Sequence, residues 1–346
     1  MTKNLSIYLD LVRIVATFLV FVLHAEAFDG QWIANLLPNF GHDAVVVFFI
    51  LSGFVIKYVA ETKEGTIKHF LGARFIRIYS VVIPSLILTF GLYFIGWFIG
   101  LDGYKNFQEI DWLQIFPVSI FLLNQVQGFD LLVPYNLPFW SICYEVSYYA
   151  LFSVAYYMKG NKRVVTFLLI SFVIGPKVLL LFPLWLMGCV VYNIIKKDFN
   201  IVPSIGWFMF IGSLILYLIY RYYLINDYLY SLSISVLGND LGHKYLSWSR
   251  FFVSDYIVGF LISLNFVGFS IIQKSFTIVF HKTEKIIRFL ASITFSIYLM
   301  HFPLMTFLSE IYFNSTFIII STLTIIFFVG IKIENSKGLY KKHLSL

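Results

Sequence analysis

The amino-acid sequence predicts an all-α protein, a polytopic bundle of about ten transmembrane helices with both termini in the cytoplasm. Of the 346 residues, 60% are hydrophobic and only 12% are charged, whereas soluble domains carry about 25% charged residues. Apolar runs recur along the whole chain, and about 20 such residues are enough for one helix to cross the ~30 Å hydrocarbon core. We therefore expect one integral-membrane domain over residues 1–346, without a separate soluble domain.

The predicted spans follow from where these apolar runs begin and end. They lie at 6–28, 43–60, 78–100, 137–158, 164–195 (two short spans), 201–223, 250–272, 289–313 and 316–333. Gly175 and Pro176 predict the tight turn that divides the double span. Two long segments, 101–136 and 224–249, are predicted to be loops. The apolar piece at 113–123 is too short to span, which favours a re-entrant or interfacial position.

Basic residues predict the orientation of the bundle. The large majority of the 25 lysines and arginines fall on one side of the ten spans, namely near the N-terminus, at 57–77, 159–163, 196–197 and 274–288, and from 332 onwards. Segments rich in Lys and Arg stay in the cytoplasm, so both termini are predicted to be cytoplasmic.

The rest of the composition argues against other kinds of site. The net charge of +7 is mostly explained by topology, so no nucleic-acid partner is expected. Cys143 and Cys189 both lie inside apolar runs, which predicts buried free thiols with neither a disulfide nor a metal.

The first span carries polar residues that a passive membrane anchor does not need. Asp10, Arg13, His24 and Glu26 all lie in or at the end of it, although a charge in a span costs about 2.5 to 3.5 kcal/mol on insertion scales. Arg13 and His24 are eleven residues apart, which returns them to within about 20° of one helix face, roughly 16 Å apart along the axis. These two residues are therefore candidates for function.

Further ionisable residues enter other predicted spans. With the orientation above, Glu145 lies about two turns below the outer surface and His301 lies at or just beyond mid-depth. We expect both to meet His24 in one outward-facing cavity. Arg74 and Arg77 are predicted at the cytoplasmic mouth of the third span, one helical turn apart and so on one face.

Five motifs occur in a fixed order along the chain. They are YLDLVRIVATFLVFVLHAEAF with Arg13 and His24; FF-x-x-SGF from Phe48 to Phe54; Arg-x-x-Arg-x-Tyr at Arg74, Arg77 and Tyr79; W-S-x-x-x-E at Trp140, Ser141 and Glu145; and S-x-Y-x-x-H-x-P from Ser296 to Pro303. Together they resemble the acyltransferase-3 family of bacterial membrane O-acyltransferases. Two positions depart from its pattern, Ser80 where a Pro is common and Tyr144 where an acidic residue is common.

The resemblance implies transfer of an acyl group, usually acetyl, from cytoplasmic acyl-CoA (acetyl-CoA) to a sugar hydroxyl at the outer side of a bacterial inner membrane. The acceptor is expected to be a cell-envelope glycan or its lipid-linked precursor, and the oligomeric state is left open. His24 is the expected general base, with Glu145 or Glu26 as the carboxylate that orients its ring. Arg74 and Arg77 suit the phosphates of coenzyme A, and Arg13 suits either the pantetheine amides or the oxyanion.

Several of these residues have a simpler alternative explanation. Arg74 and Arg77 also fit as positive-inside anchors, and His301 also fits as a core histidine bonded to a backbone carbonyl. His42 and Asp43 are candidates for acceptor binding, as are Ser141 and His301, but His42 and Asp43 fit better as caps of the second span. Ser52 and Gly53 are expected to allow close helix packing.

Two other classes of protein would use similar residues. A transporter or flippase for a polysaccharide or lipid-linked precursor also needs intramembrane His, Arg and Glu. The sequence shows neither an inverted repeat nor a matched pair of broken helices, which many transporters have. A non-catalytic partner in envelope assembly is the third class. Turnover of acetyl-CoA by the purified protein would distinguish an enzyme from both.

Overall fold

A computed structural model describes residues 1–29, 40–197, 201–312 and 314–343, and the side chains of all of these except 26–29, 242–244 and 337–343. Every regular element in this described part is helical, which confirms the predicted all-α class. The helices are α1 (Lys3–Asp29), α2 (Phe40–Thr62), α3 (Ile67–Phe98), α4 (Trp112–Ile120), α5 (Trp140–Tyr157), α6 (Gly160–Ile174), α7 (Pro176–Leu180), α8 (Phe182–Lys196), α9 (Pro203–Tyr222), α10 (Ile225–Leu237), α11 (Phe252–Ile272), α12 (Thr277–Ser309) and α13 (Ser315–His343).

Seven helical stretches of the described chain are long and apolar enough to cross a bilayer, so this is a multi-pass membrane protein. One stretch, Ser247–Ser309, has 63 residues and contains both α11 and α12, far more than the ~20 that one crossing needs. The predicted fourth and fifth spans correspond to α5 and α6, which are not among the seven. Helix α6 has only 15 residues, and α5 is rich in Tyr and Ser. The count of ten spans and the cytoplasmic termini remain predictions.

Three helices extend beyond the spans that the sequence predicted. Helix α3 begins at Ile67 rather than at 78, and the Thr66 hydroxyl caps it by accepting a hydrogen bond from the His69 N–H at 3.3 Å. Helix α12 likewise begins at Thr277, and α13 continues to His343. Hydropathy detects only the apolar part of a helix. Lysine and arginine are good helix formers, so a basic continuation keeps the helical conformation.

The two segments predicted to be long loops, 101–136 and 224–249, both contain a helix in the structure. In the first, α4 has nine residues, too few to cross a bilayer, so the prediction that this piece does not span is confirmed. In the second, the prediction of a polar loop is wrong, because it contains the 13-residue α10. The apolar residues of α10 are interspersed with Asn, Asp, Tyr and Ser, which hides the helix from a hydropathy scan. The predicted turn at Gly175 is confirmed by its φ of +83° and by the start of α7 at Pro176.

The chain divides into two compact units. The first comprises Met1–Arg13, Val45–Gly65 and Val165–Phe289, and the second comprises Ile14–Ala44, Thr66–Val164 and Leu290–Leu346. Each unit is assembled from separate stretches of sequence, because α1, α2, α6 and α12 each contribute to both. The prediction of a single domain over residues 1–346 is not tested by this division and stays a prediction.

In the first unit, α2 and α8 approach each other at two glycines. A Cβ atom added to Gly53 would lie 1.9 Å from the Trp185 carbonyl oxygen, and one added to Gly188 would lie 2.0 Å from the Ile50 carbonyl oxygen. The Trp185 indole N–H also donates a hydrogen bond to the Ser52 hydroxyl at 3.2 Å. Only a hydrogen atom fits as the side chain at Gly53 and at Gly188. The predicted role of Ser52 and Gly53 in close helix packing is therefore confirmed.

In the second unit, α1 packs against α12 and α13 through a small apolar core. Phe21 and Ala25 of α1, Met305 of α12 and Ile318 of α13 are all buried in it. Phe21 and Ala25 are four residues apart and therefore lie on one face of α1. His24 lies between them in sequence, at the edge of this face, and is thereby held against α12.

Candidate functional site

A pair of histidine side chains joins α1 to α12 in the second unit. The Nδ1 atom of His24 lies 2.8 Å from the Nε2 atom of His301. The other ring nitrogen of His301, Nδ1, lies 2.8 Å from the carbonyl oxygen of Ile297. His301 is fully buried, whereas His24 is only partly buried. Of the residues that the sequence predicted to meet, the structure brings these two into direct contact.

The hydrogen-bond partners assign the tautomers of the two rings. The Ile297 carbonyl only accepts, so Nδ1 of His301 must carry a hydrogen and donate it. Nε2 of the neutral His301 ring then has a lone pair and accepts a hydrogen bond from Nδ1–H of His24. The lone pair of His24 is consequently on Nε2, on the side of the ring away from His301. This is the arrangement that a general base requires.

Aromatic rings surround the pair. The Phe302 ring meets the His24 ring edge to face, with centroids 4.9 Å apart. Phe21 lies against His301 with a centroid distance of 5.6 Å. These contacts restrict the rotamers of both imidazoles.

Ser141 connects the start of α5 to α12. Its buried hydroxyl donates to the Pro138 carbonyl at 3.1 Å and accepts from the Tyr298 hydroxyl at 2.7 Å. Tyr298 lies one helical turn before His301 on α12, so this bond helps to fix the segment that carries the histidine. The acceptor-binding role predicted for Ser141 stays a prediction.

Glu145 belongs to a second polar group on α5 and α3. Its carboxylate accepts a hydrogen bond from the Tyr149 hydroxyl, and the charges of Glu145, Arg77 and Arg74 all act on that hydroxyl. Among the described contacts, the partner of His24 is therefore another histidine, His301, rather than Glu145. The side chain of Glu26, the other carboxylate predicted to orient His24, lies outside the described residues.

A cavity of about 650 Å³ opens beside this group, within the size range of small-molecule sites. Its walls are the face of α3 from Lys68 to Tyr79 and the residues Val146, Tyr149 and Ala150 of α5. Arg74 is buried in the wall with its guanidinium 5.6 Å from the centre of the Phe70 ring. The cavity thus combines an apolar lining with cationic side chains, which suits an amphipathic anion.

Arg13 lies in the first unit, in a cluster of charges. Its guanidinium is 3.3 Å from the Asp10 carboxylate. Arg288 of α12 is closer to the same carboxylate, at 2.6 Å, and donates to the Ser6 hydroxyl at 2.9 Å. Arg288 is not among the site residues predicted from the sequence, in which it counts only as a topological charge. The signal that could have drawn attention to it is Asp10, a carboxylate inside a span that needs a cationic partner.

His42 and Asp43 lie in the first turn of α2 rather than before it. Helix α2 begins at Phe40, so the preferred explanation of these two residues as helix caps is wrong. Asp43 is buried, and its carboxylate is well placed to interact with the positive end of the helix dipole. The acceptor-binding role of both residues stays a prediction.

Cys143 and Cys189 are both buried free thiols, as predicted. Within the described ranges, no group of three or more His, Cys, Asp or Glu side chains is arranged to hold a metal ion.

Comparison with known proteins identifies one relationship. The model of the acyltransferase-3 family, described as an acyltransferase domain, matches residues 6–333. Searches of curated proteins and of solved structures gave no match. The matched range covers nearly the whole chain and includes the histidine pair, the cavity of α3 and α5, and Arg13.

Proposed function

This chain belongs to the acyltransferase-3 family of membrane proteins, and on that premise we propose that it is an O-acyltransferase. The reaction is transfer of an acyl group, acetyl in the simplest case, from cytoplasmic acyl-CoA to a hydroxyl of a glycan. The observation that carries the proposal is the His24–His301 pair, because it leaves an unprotonated Nε2 on the more exposed of the two rings.

The proposed chemistry needs no further catalytic group for proton transfer. His24 Nε2 takes the proton of the acceptor hydroxyl while the hydroxyl oxygen attacks the thioester carbonyl, forming a C–O bond. The resulting imidazolium is stabilised through its Nδ1–H bond to His301. When the C–S bond breaks, the departing thiolate takes the proton from His24, and the neutral pair is restored. General-base catalysis of this kind contributes about 10² to 10⁴-fold.

The cavity of α3 and α5 supports a site for the donor. Coenzyme A presents phosphates and an extended amide chain, and Arg74 and Lys68 line a cavity that is otherwise mainly apolar. Arg77 does not line the cavity, but its charge acts on Tyr149, which does. We propose that these cations bind the phosphates, since arginine pairs with phosphate through two parallel hydrogen bonds. Arg13 is proposed to contact the donor amides or the developing oxyanion.

The acceptor contacts are proposed from the candidate residues that are assigned neither to the base nor to the donor site. A cell-envelope glycan or lipid-linked glycan would approach from the outer side of a bacterial inner membrane, with both protein termini in the cytoplasm. His42, Asp43 and Ser141 are the proposed acceptor contacts. This part of the proposal rests on the implied chemistry of the family and on the predicted orientation of the spans.

Purified protein in liposomes provides the test. With radiolabelled acetyl-CoA, the enzyme should hydrolyse the thioester slowly and transfer label to an added glycan fraction. A variant with His24→Asn should lose the activity, and the matched control His281→Asn, which changes an exposed histidine of α12, should keep it. If wild-type protein leaves acetyl-CoA intact but moves a lipid-linked glycan across the bilayer, the flippase alternative is correct.

A further inference from the structure

Helix α12 contains Pro303, two residues after His301. Proline has no backbone N–H, so the carbonyl of the residue four positions earlier loses its helical hydrogen bond. That residue is Leu299. Its carbonyl oxygen is in a buried part of the helix, and a buried carbonyl without a partner costs about 1 to 3 kcal/mol.

Side chains from two other segments of the second unit replace the missing donor. The Ser85 hydroxyl of α3 donates to the Leu299 oxygen at 2.9 Å, and the Asn136 side-chain amide donates to it at 3.0 Å. Asn136 is the residue just before the short turn that leads into α5. Its amide also donates to the Thr89 hydroxyl at 3.0 Å. Ser85, Thr89 and Asn136 are all fully buried.

The position of Leu299 links this network to the histidine pair. The carbonyl of Ile297, two residues earlier, accepts from His301 Nδ1, and His301 itself follows two residues later. These hydrogen bonds to Leu299 therefore hold α12 in the middle of the turn that orients the His301 ring. A shift of that turn would move His301 Nε2 away from His24 Nδ1, now 2.8 Å away.

We propose that Asn136 and Ser85 are positioning residues for the histidine pair. They hold the turn of α12 in which Pro303 removes a backbone hydrogen bond. They thereby keep the His301 ring within hydrogen-bond distance of His24. The inference rests on the proposed function, because it assigns these residues to the orientation of the same base. Neither residue contacts the donor cavity of α3 and α5, so their effect should be confined to the base.

The first experiment compares two buried asparagines. Asn136→Ala should lower kcat on the order of 10²-fold, the cost of a displacement of about 1 Å in a catalytic group, with the KM for acyl-CoA unchanged. The control is Asn265→Ala in the first unit, where the amide donates to the Phe210 carbonyl and the Ser213 hydroxyl, both at 3.1 Å. This control removes similar buried bonds, so it should lower stability but leave kcat within a few-fold.

A second comparison uses the proline itself. Pro303→Ala supplies a backbone N–H to Leu299, so the Asn136→Ala change should cost several-fold less in the Pro303→Ala background than in wild type. Equal costs in the two backgrounds would show that Asn136 does not act through the Leu299 carbonyl, and would overturn the inference.

A chemical readout separates this inference from the proposed function. Diethyl pyrocarbonate modifies accessible histidine nitrogens, and His301 should be protected in wild type because both of its ring nitrogens are hydrogen-bonded. In folded Asn136→Ala protein, modification of His301 should be about tenfold faster, the equivalent of one lost hydrogen bond. Protection equal to that in Asn265→Ala would overturn the inference. Absence of acyl transfer by wild type would instead overturn the proposed function, while the protection assay would still decide the positioning role.

Discussion

Helix α1 carries two polar clusters of opposite character, one in each unit. His24 and His301 form a neutral pair in which His301 is fully buried and bonded to its own backbone. Arg13, Asp10 and Arg288 form a charged cluster whose side chains are 21%, 16% and 38% exposed. The first pair is locked in one arrangement by hydrogen bonds of fixed direction. The second is held by ion pairs that water partly screens.

The difference indicates what each cluster is suited to do. A general base must present one lone pair in one direction, which a fixed tautomer provides. A site for an anionic or polar group must be able to exchange partners, which partly exposed guanidiniums allow more readily than buried ones. We therefore expect changes in the histidine pair to act on kcat, and changes among the arginines to act mainly on binding.

Loss of the base should have the largest effect. His24→Ala should lower kcat for acyl transfer by about 10² to 10⁴-fold, because the hydroxyl must then lose its proton to water. The KM for acyl-CoA should change little. Initial rates of label transfer in liposomes, at matched protein levels, measure both constants. A kcat within a few-fold of wild type would remove His24 from the reaction and make His301 the next candidate.

Arg13 should have the next largest effect. Arg13→Ala should lower kcat/KM by about 10- to 100-fold, the range expected for loss of a hydrogen bond to a charged group. An increase in KM would indicate a contact with the donor, and a decrease in kcat would indicate the oxyanion. Arg13→Lys should recover little, because a point charge does not reproduce the guanidinium fork. The exposed Arg163, changed to Ala, is the control, and an equal effect there would assign Arg13 a general electrostatic role.

Arg74, which lines the cavity of α3 and α5, and Arg77, one helical turn away, should have a smaller effect, on binding alone. Replacing both Arg74 and Arg77 with Gln should raise the KM for acyl-CoA by about tenfold, in keeping with lost charge-assisted hydrogen bonds. The KM for the glycan acceptor should stay the same. If neither KM changes, the two arginines are positive-inside anchors, the simpler explanation that the sequence left open.

A change outside both clusters should affect stability only. Gly53→Ala places a methyl group where the Trp185 carbonyl oxygen lies 1.9 Å away, so α2 and α8 must separate. We expect about 1 to 3 kcal/mol of destabilisation, measured as a lower melting temperature in detergent. Gly91→Ala on α3 is the control, because no atom lies within 4 Å of the added Cβ. Equal melting temperatures for the two variants would show that the α2–α8 contact is looser than described.

The sequence predicted the helical class and the meeting of His24 with His301. It also placed Glu145 at the same point, whereas the Glu145 carboxylate accepts a hydrogen bond from Tyr149. His24 could be recognised because a histidine in a span needs an explanation. Its orienting group was expected to be Glu145 or Glu26, because carboxylates commonly play this part, and spacing along one helix carries no information about contacts between helices. The clue that the sequence did contain is Pro303, which marks the turn of α12 where backbone groups must find side-chain partners.

Helix ends and charged partners were also hard to predict from the sequence. Hydropathy placed the start of the third span at 78, whereas α3 starts at Ile67, because a helix can continue into polar sequence without any apolar signal. In the sequence, Arg288 is only one of the basic residues that predict the orientation of the bundle. Its pairing with Asp10 joins residues 278 positions apart, which only tertiary structure brings together.

Nitrogen NMR shows directly whether His24 holds a proton on Nδ1 and a lone pair on Nε2. Protein labelled with ¹⁵N-histidine in lipid, compared with the His24→Asn variant, identifies the His24 ring signals. We predict a protonated Nδ1 and an unprotonated Nε2 at neutral pH, with His301 protonated on Nδ1. A His24 ring protonated on Nε2 would leave no lone pair for the acceptor hydroxyl and would exclude His24 as the base.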